Sequence, residues 1–256
     1  MTERFAGRVA LLTGAARGLG RAAALRLLAG GAAVAVNVRR PEQAQAVLEE
    51  MTAVAGSGAA ERLLVVAGDV SIASDVRAIV ERTLERFGRL DILVNNAAVA
   101  LTTRFEQIAE AEWRRVMDVN VTGAFLCTRA VVGPMKAHGY GRIVNVSSTA
   151  GKNVSTLGGA HYTASKAALL GLTRATASEL GRYGITVNAI CPGLIDTELT
   201  RESSTPEQRA AYAQTFPIPR LGTPLEVADL ICFLASDEAG YITGAALDIN
   251  GGGLMV

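Results

Sequence analysis

Histidine, cysteine and net charge are all scarce in this chain of 256 residues, and each scarcity excludes something. The two histidines, His138 and His161, have no ligand-like spacing, and the three cysteines, Cys127, Cys191 and Cys232, lie far apart among apolar neighbours. The cysteines read as small buried hydrophobes, so neither a disulfide framework nor a metal centre is expected. The formal net charge is +1, which lacks the basic field that nucleic acid or an anionic membrane would require of a partner. No apolar run approaches the ~20 residues of a membrane span, and Glu3 and Arg4 stand where a signal peptide would need an apolar core. The expectation is a soluble, cytoplasmic protein with no nucleic-acid or membrane partner. Linkers, internal repeats and low-complexity tracts are also missing, so residues 1–256 read as one domain.

What is present is an alternation. Half of the residues are hydrophobic, enough for a substantial core. They fall into short β-branched runs at 8–12, 33–38, 63–67, 91–95, 142–147, 185–191 and 246–249, separated by amphipathic stretches at 20–29, 42–54, 74–87, 112–137, 162–182 and 224–234. Strands that are apolar throughout belong to a parallel sheet covered on both faces. The pattern predicts an α/β fold: one doubly wound, Rossmann-type parallel sheet of about seven strands. The long irregular stretch is 192–224, with Pro206, Pro217 and Pro219 and a polar middle. A connection of that length is either a lid or binding loop, here taken as a substrate loop over about 193–222, or a surface insertion.

Directly after the first strand comes Thr13-Gly14-Ala15-Ala16-Arg17-Gly18-Leu19-Gly20, and a helix starts at once. Glycines there permit a tight turn and close approach to a pyrophosphate, while the helix N-terminus offers free amides to the anion. The second strand ends Asn37-Val38-Arg39-Arg40 with no carboxylate. An acidic residue there would bond a free ribose 2′-hydroxyl, whereas Arg17, Arg39 and Arg40 suit a 2′-phosphate. The reading is NADP(H) in preference to NAD(H), against the alternative that Arg39 and Arg40 are solvated charges.

Tyr162 and Lys166 stand four residues apart at the start of a long helical pattern and so project from one face. A phenol ordinarily has a pKa near 10, and a cation held beside it favours the phenolate by roughly one to three units. That makes Tyr162 a candidate proton donor and acceptor. Taken alone the pair carries little, since two such residues share a helix face by chance.

Together these segments resemble the short-chain dehydrogenase/reductase family over essentially the whole chain. The marks are ordered: the turn at 14–20, Asp69-Val70, Asn95-Asn96-Ala97-Ala98, Asn120 in Val119-Asn120-Val121-Thr122-Gly123, Ser147-Ser148, Tyr162 with Lys166, and Cys191-Pro192-Gly193. The resemblance implies a homotetramer, formed through the carboxyl-terminal edge region, that reduces a ketone or oxidises the matching secondary alcohol. By resemblance, Gly14, Arg17, Gly18, Leu19 and Gly20 would seat the cofactor. Asp69 and Val70 would border its adenine, and Asn96 and Ala97 would lie along its centre. Ile195 and Thr197, after the Pro192-Gly193 turn, would meet the nicotinamide carboxamide. Tyr162 would give a proton to the developing alkoxide and Ser148 would donate a hydrogen bond to the same oxygen. Lys166 would hold the ribose and acidify the phenol, and Asn120 would hold a water leading from Lys166 to solvent.

Ser148 is preferred to Ser147 by its place in the family pattern Asn-Val-Ser-Ser-x-x-Gly. Its separation of fourteen residues from Tyr162 implies one extra residue in the loop through Lys152, Asn153, Val154 and Ser155. The pocket would be walled by 194–221, with Leu199, Tyr212 and Phe216, and on the other side by Leu157 and His161. Within the family the tail and the glycine-rich turn are similar to 3-oxoacyl-acyl-carrier-protein reductases. The carrier-docking positions are matched by Tyr140 and Ser178, so an acyl carrier protein remains an open partner, with Arg174 and Arg182 as substitutes. A reductase of free ketones, sugars or alcohols is the alternative, and a non-catalytic NADP-binding regulator is the alternative of another class.

Overall fold

The computed structural model describes residues 3–155 and 157–256. Among them, seven strands form one parallel sheet: β1 (Val9–Leu12), β2 (Ala33–Val38), β3 (Leu63–Ala67), β4 (Ile92–Asn95), β5 (Gly141–Val146), β6 (Ile185–Pro192) and β7 (Ala246–Ile249). The helices between them are α1 (Gly18–Ala29), α2 (Ala44–Ala55), α3 (Ala73–Phe87), α4 (Glu110–Met117), α5 (Gly123–His138), α6 (Ala160–Leu180), α7 (Glu198–Glu202), α8 (Pro206–Gln214) and α9 (Pro224–Leu234).

The strand order is β3-β2-β1-β4-β5-β6-β7. The chain therefore winds outward from β1 in one direction, crosses back, and winds outward from β4 in the other. Between β1 and β4 the loops leave in opposite directions and open a crevice at the carboxyl ends of the strands, where doubly wound sheets bind ligands.

Strand side chains alternate between faces, and the core divides accordingly. Ala10 and Leu12 of β1, with Val34 and Val36 of β2 and Val144 and Val146 of β5, pack under α1, α2 and α9. Leu11, Ala35, Leu93 and Ile143 point the other way, under α3, α5 and α6. Both faces are mainly apolar, which explains the strands' largely hydrophobic runs, broken by buried Asn37, Arg142, Asn145, Thr186 and Asn188. Cys127, Cys191 and Cys232 are buried in this core, and burial pushes the Cys127 and Cys232 thiols up to about 12.

Two features refine the sequence expectation: the helix expected over 112–137 contains a π turn, and the stretch 192–224 is not irregular throughout. The stretch 110–138 is one continuous helix in which α4 passes into α5 through a π-helical turn, Asp118–Thr122. By length and composition it could cross a membrane, yet it packs between α3 and α6. The stretch 192–224, read as irregular, holds α7 and α8. Thr205 caps α8 with a reciprocal bond to Gln208, with Pro206 in the first turn, the arrangement that satisfies orphan amides at a helix start.

Candidate active site

The crevice at the switch point is sealed at its floor by Thr13 and Asn96. The Thr13 hydroxyl accepts the backbone N–H groups of Asn96 and Ala97 at 3.0 and 3.1 Å. The Asn96 amide donates back to the carbonyls of Thr13 and Gly14, both at 3.0 Å. Gly14, with φ +60°, lies so close to Ala97 that a Cβ would stand 2.8 Å from its Cα. Gly20 admits the Asn96 amide, which a Cβ would meet at 2.5 Å. The glycines thus let the β1–α1 turn lie directly on the β4 loop, and the free amides of α1's first turn face the crevice beside Gly18 and Leu19.

Around this turn runs a cleft of about 710 Å³. At one end Asn37 braces the turn, accepting the Gly14 N–H at 3.3 Å and donating to the Gly68 carbonyl at 3.0 Å. Exposed Arg39 and Arg40 follow β2, and Arg17 reaches across to α7, where Glu202 takes its guanidinium in a two-pronged pair. Asp69 is raised by burial. Hydrogen bonds from the Ser71 hydroxyl and N–H and the charges of Arg39 and Arg115 outweigh this and hold it below the usual carboxylate range.

At the other end Ser148 follows β5 and Tyr162 rises from the first turn of α6, with Lys166 one turn below. Ser148 takes the Ala150 N–H on its Oγ at 3.1 Å and faces the Tyr162 phenol. Burial pushes that phenol above its ordinary value, with the Ser148 contact acting in the opposite direction. Lys166 is 2% exposed, its Nζ donates to the Val146 carbonyl at 2.7 Å, and burial brings its pKa down to about 8. A carbonyl oxygen set between Ser148 and Tyr162 would receive two hydrogen bonds, the arrangement that stabilises a developing alkoxide.

A matching family model, described as Enoyl-(Acyl carrier protein) reductase, spans residues 14–253. The chain belongs to the short-chain dehydrogenase/reductase family. It is 41% identical over 248 residues, 96% of each chain, to the (2S)-[(R)-hydroxy(phenyl)methyl]succinyl-CoA dehydrogenase subunit BbsD of Thauera aromatica. It is 38% identical over 252 residues to the 3-oxoacyl-[acyl-carrier-protein] reductase of Escherichia coli, covering 98% of this chain and 99% of that one. The crystal structure of a 3-oxoacyl-[acyl-carrier protein] reductase with bound NAD from Brucella melitensis superposes with a TM-score of 0.89 at 37% identity, covering 100% of this chain and 94% of that one. As a short-chain dehydrogenase/reductase, the protein is an oxidoreductase working between carbonyl and alcohol groups with a nicotinamide cofactor. The cleft fits such a group by its amide-lined glycine turn at α1 and its cluster of arginines where β2 ends.

The fold brings the expected family positions together. Gly14, Arg17, Gly18, Leu19, Arg39, Arg40, Asp69, Val70, Asn96, Ala97, Ser148, Tyr162, Lys166, Pro192, Gly193, Ile195 and Thr197 all line the one cleft. Gly20 and Asn120 lie behind it. Asn120 is 1% exposed and its amide is spent on protein: Oδ1 accepts the Val99 N–H at 2.7 Å, and Nδ2 donates to the Val99 carbonyl at 3.0 Å and to Ser165 Oγ at 2.9 Å. With both its donors spent, the side chain ties the long helix to the loop after β4 and to α6. Ser147 donates to the Lys166 carbonyl at 2.8 Å and is structural.

Other expectations change. The phenol was expected to be acidified by Lys166, but burial dominates and its acidity moves the other way. His161 is not on the pocket wall; it is wholly buried. Leu157, Leu199 and Phe216 line the cleft, whereas Tyr212 does not. Tyr140 is gripped between Arg8, 3.6 Å from its ring centre, and Arg142 at 4.2 Å. Among contributors that sequence reasoning missed are Thr13, Asn37, Ser165 and the tail residue Leu254, which lines the cleft. Thr13 and Asn37 flank motifs already read, but their roles depend on which loops the switch point brings together.

Proposed function

We propose that this chain is an NADP(H)-dependent reductase of 3-oxoacyl thioesters, catalysing the matching hydroxyacyl oxidation in reverse. The observation that carries the reading is the convergence of the Ser148 and Tyr162 hydroxyls at the end of a cleft whose other end opens on the amides of α1. Bound there, the cofactor supplies a hydride to the carbonyl carbon or takes one from the alcohol carbon. Tyr162 Oη gives its proton to the carbonyl oxygen while Ser148 Oγ donates a hydrogen bond to it. With its pKa held above the ordinary phenol value, Tyr162 keeps its proton across the neutral range, which suits reduction; oxidation needs the phenolate and is favoured at alkaline pH. Lys166 spends one N–H on the Val146 carbonyl and has two left for the ribose hydroxyls. At pH 7, with a pKa of about 8, it is still mostly an ammonium and stabilises the phenolate left behind. Gly14, Gly18 and Leu19 would hold the pyrophosphate, and Arg39 and Arg40, with Arg17 once it parts from Glu202, would hold the 2′-phosphate.

Support for an acyl thioester comes from the relatives, whose names specify acyl groups carried on a carrier protein or on coenzyme A. One observation favours free ketones, sugars or alcohols as a second reading. Tyr140, at a carrier-docking position, offers no cation of its own and occupies two guanidinium groups in clasping its ring, with Arg174 and Arg182 as the substitutes for meeting an acidic carrier. The chain would work as one nicotinamide-binding domain, in the cytoplasm, as a homotetramer. Trp113 and Phe125 on the long helix and Tyr241 before β7 are exposed, side chains that contacts between subunits would cover.

The test is a steady-state screen of 3-oxoacyl thioesters, free ketones and sugars with both nicotinamides. Acetoacetyl-coenzyme A with NADPH should be turned over fastest. Faster turnover of free ketones moves the substrate to the second reading, preference for NADH removes the arginine cluster as a phosphate seat, and binding without turnover of any substrate points to a regulator.

A further inference from the structure

His161 is wholly buried, precedes Tyr162, and has no part in the chemistry above. Helix α6 starts at Ala160 with Gly159 as its N-cap and no side-chain cap bond from that position. An N-cap side chain ordinarily accepts the third amide of the helix, which here is that of Tyr162. Gly159 cannot be exchanged for serine, threonine or aspartate without conflict, because a Cβ there would stand 2.8 Å from the Thr103 carbonyl oxygen and 2.7 Å from His161 Cε1.

His161 does the cap's work from inside the helix. Its Nδ1 accepts the Tyr162 N–H at 2.9 Å, so that nitrogen carries no proton and Nε2 does. Nε2–H then donates to Glu112 Oε1 on α4 at 2.8 Å. Hydrogen bonds from the Thr103 hydroxyl and from His161 hold the Glu112 carboxyl below the usual range. The segment around Thr103 is tied back to α6, since the Gly159 N–H donates to the Leu101 carbonyl at 2.7 Å.

The other backbone group of Tyr162 is tied to the same long helix. Ser165 Oγ donates to the Tyr162 carbonyl at 2.7 Å and accepts from Asn120 Nδ2 at 2.9 Å. Both the N–H and the C=O of the residue that carries the phenol are therefore anchored, one through His161 to Glu112 and the other through Ser165 to Asn120. We propose that His161 and Glu112 are positioning residues that fix the first turn of α6, and with it the direction in which Tyr162 points its hydroxyl. This rests on Tyr162 being the proton donor.

The test compares His161→Ala, His161→Asn and Glu112→Ala in turnover of acetoacetyl-coenzyme A with NADPH, or of the best ketone in the screen, normalised to folded enzyme. Asparagine places Oδ1 where Nδ1 stood, so it keeps the acceptor for the Tyr162 N–H while losing Glu112. A misdirected reacting group costs up to about a hundredfold. His161→Ala should lose kcat by about ten- to a hundredfold with KM and NADPH affinity within about twofold, the signature of an interaction felt in the transition state. His161→Asn should recover most of the loss, and Glu112→Ala should lose a few-fold. In ¹⁵N-histidine spectra of the wild type, His161 should show the Nε2–H tautomer.

Wild-type kcat in His161→Ala, no recovery in His161→Asn, equal losses in kcat and cofactor affinity, or an Nδ1–H tautomer each overturn the proposal. If His161→Ala does not fold, Glu112→Ala decides: wild-type kcat there overturns the proposal, and a few-fold loss at unchanged KM sustains it. Tyr162→Phe separates the two levels. Full activity in that variant defeats the proposed function itself, whereas an inactive Tyr162→Phe beside a fully active His161→Ala defeats only this inference.

Discussion

The two walls of the cleft are held by different forces. On the α6 side, Asn120, His161, Ser165 and Lys166 are all buried and each is bonded to a backbone group, His161 also to the Glu112 carboxylate. On the α7 side a buried bond from Thr200 Oγ1 to the Ile195 carbonyl at 2.7 Å holds the start of the helix, but the tie across the cleft is an exposed ion pair, Arg17 with Glu202, at 54% and 56% side-chain exposure, with a second exposed pair, Arg201 with Asp196, along the same segment. Breaking a buried bond strands a polar group away from water, whereas water replaces the lost partner of an exposed pair. One wall is built to keep its geometry; the other can part at little cost, as a wall must that admits a cofactor and a substrate. Glu202 holds the guanidinium fork of Arg17, the fork that the proposed function assigns to a phosphate.

The difference can be broken or sharpened by substitution. Short of removing the Tyr162 hydroxyl itself, the largest effect is expected from Ser148→Ala, which removes one of two hydrogen bonds to the developing alkoxide. It should lower kcat by about 10²–10³, as loss of one oxyanion donor does, with KM for NADPH unchanged; a loss of less than about fivefold would take Ser148 out of the reaction.

Next comes the ionisation buried in the same wall. Lys166 falls from 10.5 to about 8 on folding. Between those values the unfolded chain binds the proton and the folded chain does not, so this lysine makes stability rise with pH. Below about 8 both states are charged and the slope vanishes. Tyr162, raised above 10, acts in the opposite sense only beyond that value. Urea unfolding of wild type and Lys166→Met should diverge in favour of wild type across this window, by on the order of 3 kcal/mol. Parallel curves would mean that the lysine is not desolvated.

The smallest effects set the walls directly against each other. Asn120→Ala should cost about 2 kcal/mol or more, because it strands Val99's backbone and Ser165. Glu202→Gln should change unfolding by less than about 1 kcal/mol. Similar costs for the two would erase the distinction between the walls.

Most of the fold was legible because its signal is local. The runs at 33–38, 63–67 and 246–249 coincide with β2, β3 and β7, since short, mainly apolar runs mark both the covered strand β2 and the edge strands β3 and β7. Helix α8 was missed although its capping pair, Thr205 and Gln208, stands in the sequence with Pro206 between them; three prolines in the stretch hid it. The π turn at Asn120 has no local signature.

The site was legible as a set of positions and less so as chemistry. Spacing puts Tyr162 and Lys166 on one face, but only the packed structure shows Lys166 Nζ on the Val146 carbonyl, 5.5 Å from the Tyr162 ring centre. There burial, not the cation, governs the phenol. His161 was misplaced for the same reason: its partner Glu112 is 49 residues away in the chain, and no pattern in sequence links them.

The most direct test is to measure kcat and NADPH affinity together in Tyr162→Phe, which keeps the ring and removes only the hydroxyl. Loss of a general acid costs about 10²–10⁴, so kcat should fall by that factor while the dissociation constant for NADPH stays within about threefold of wild type. Turnover close to wild type, or loss of cofactor binding in step with loss of turnover, would contradict the assignment of the proton to Tyr162.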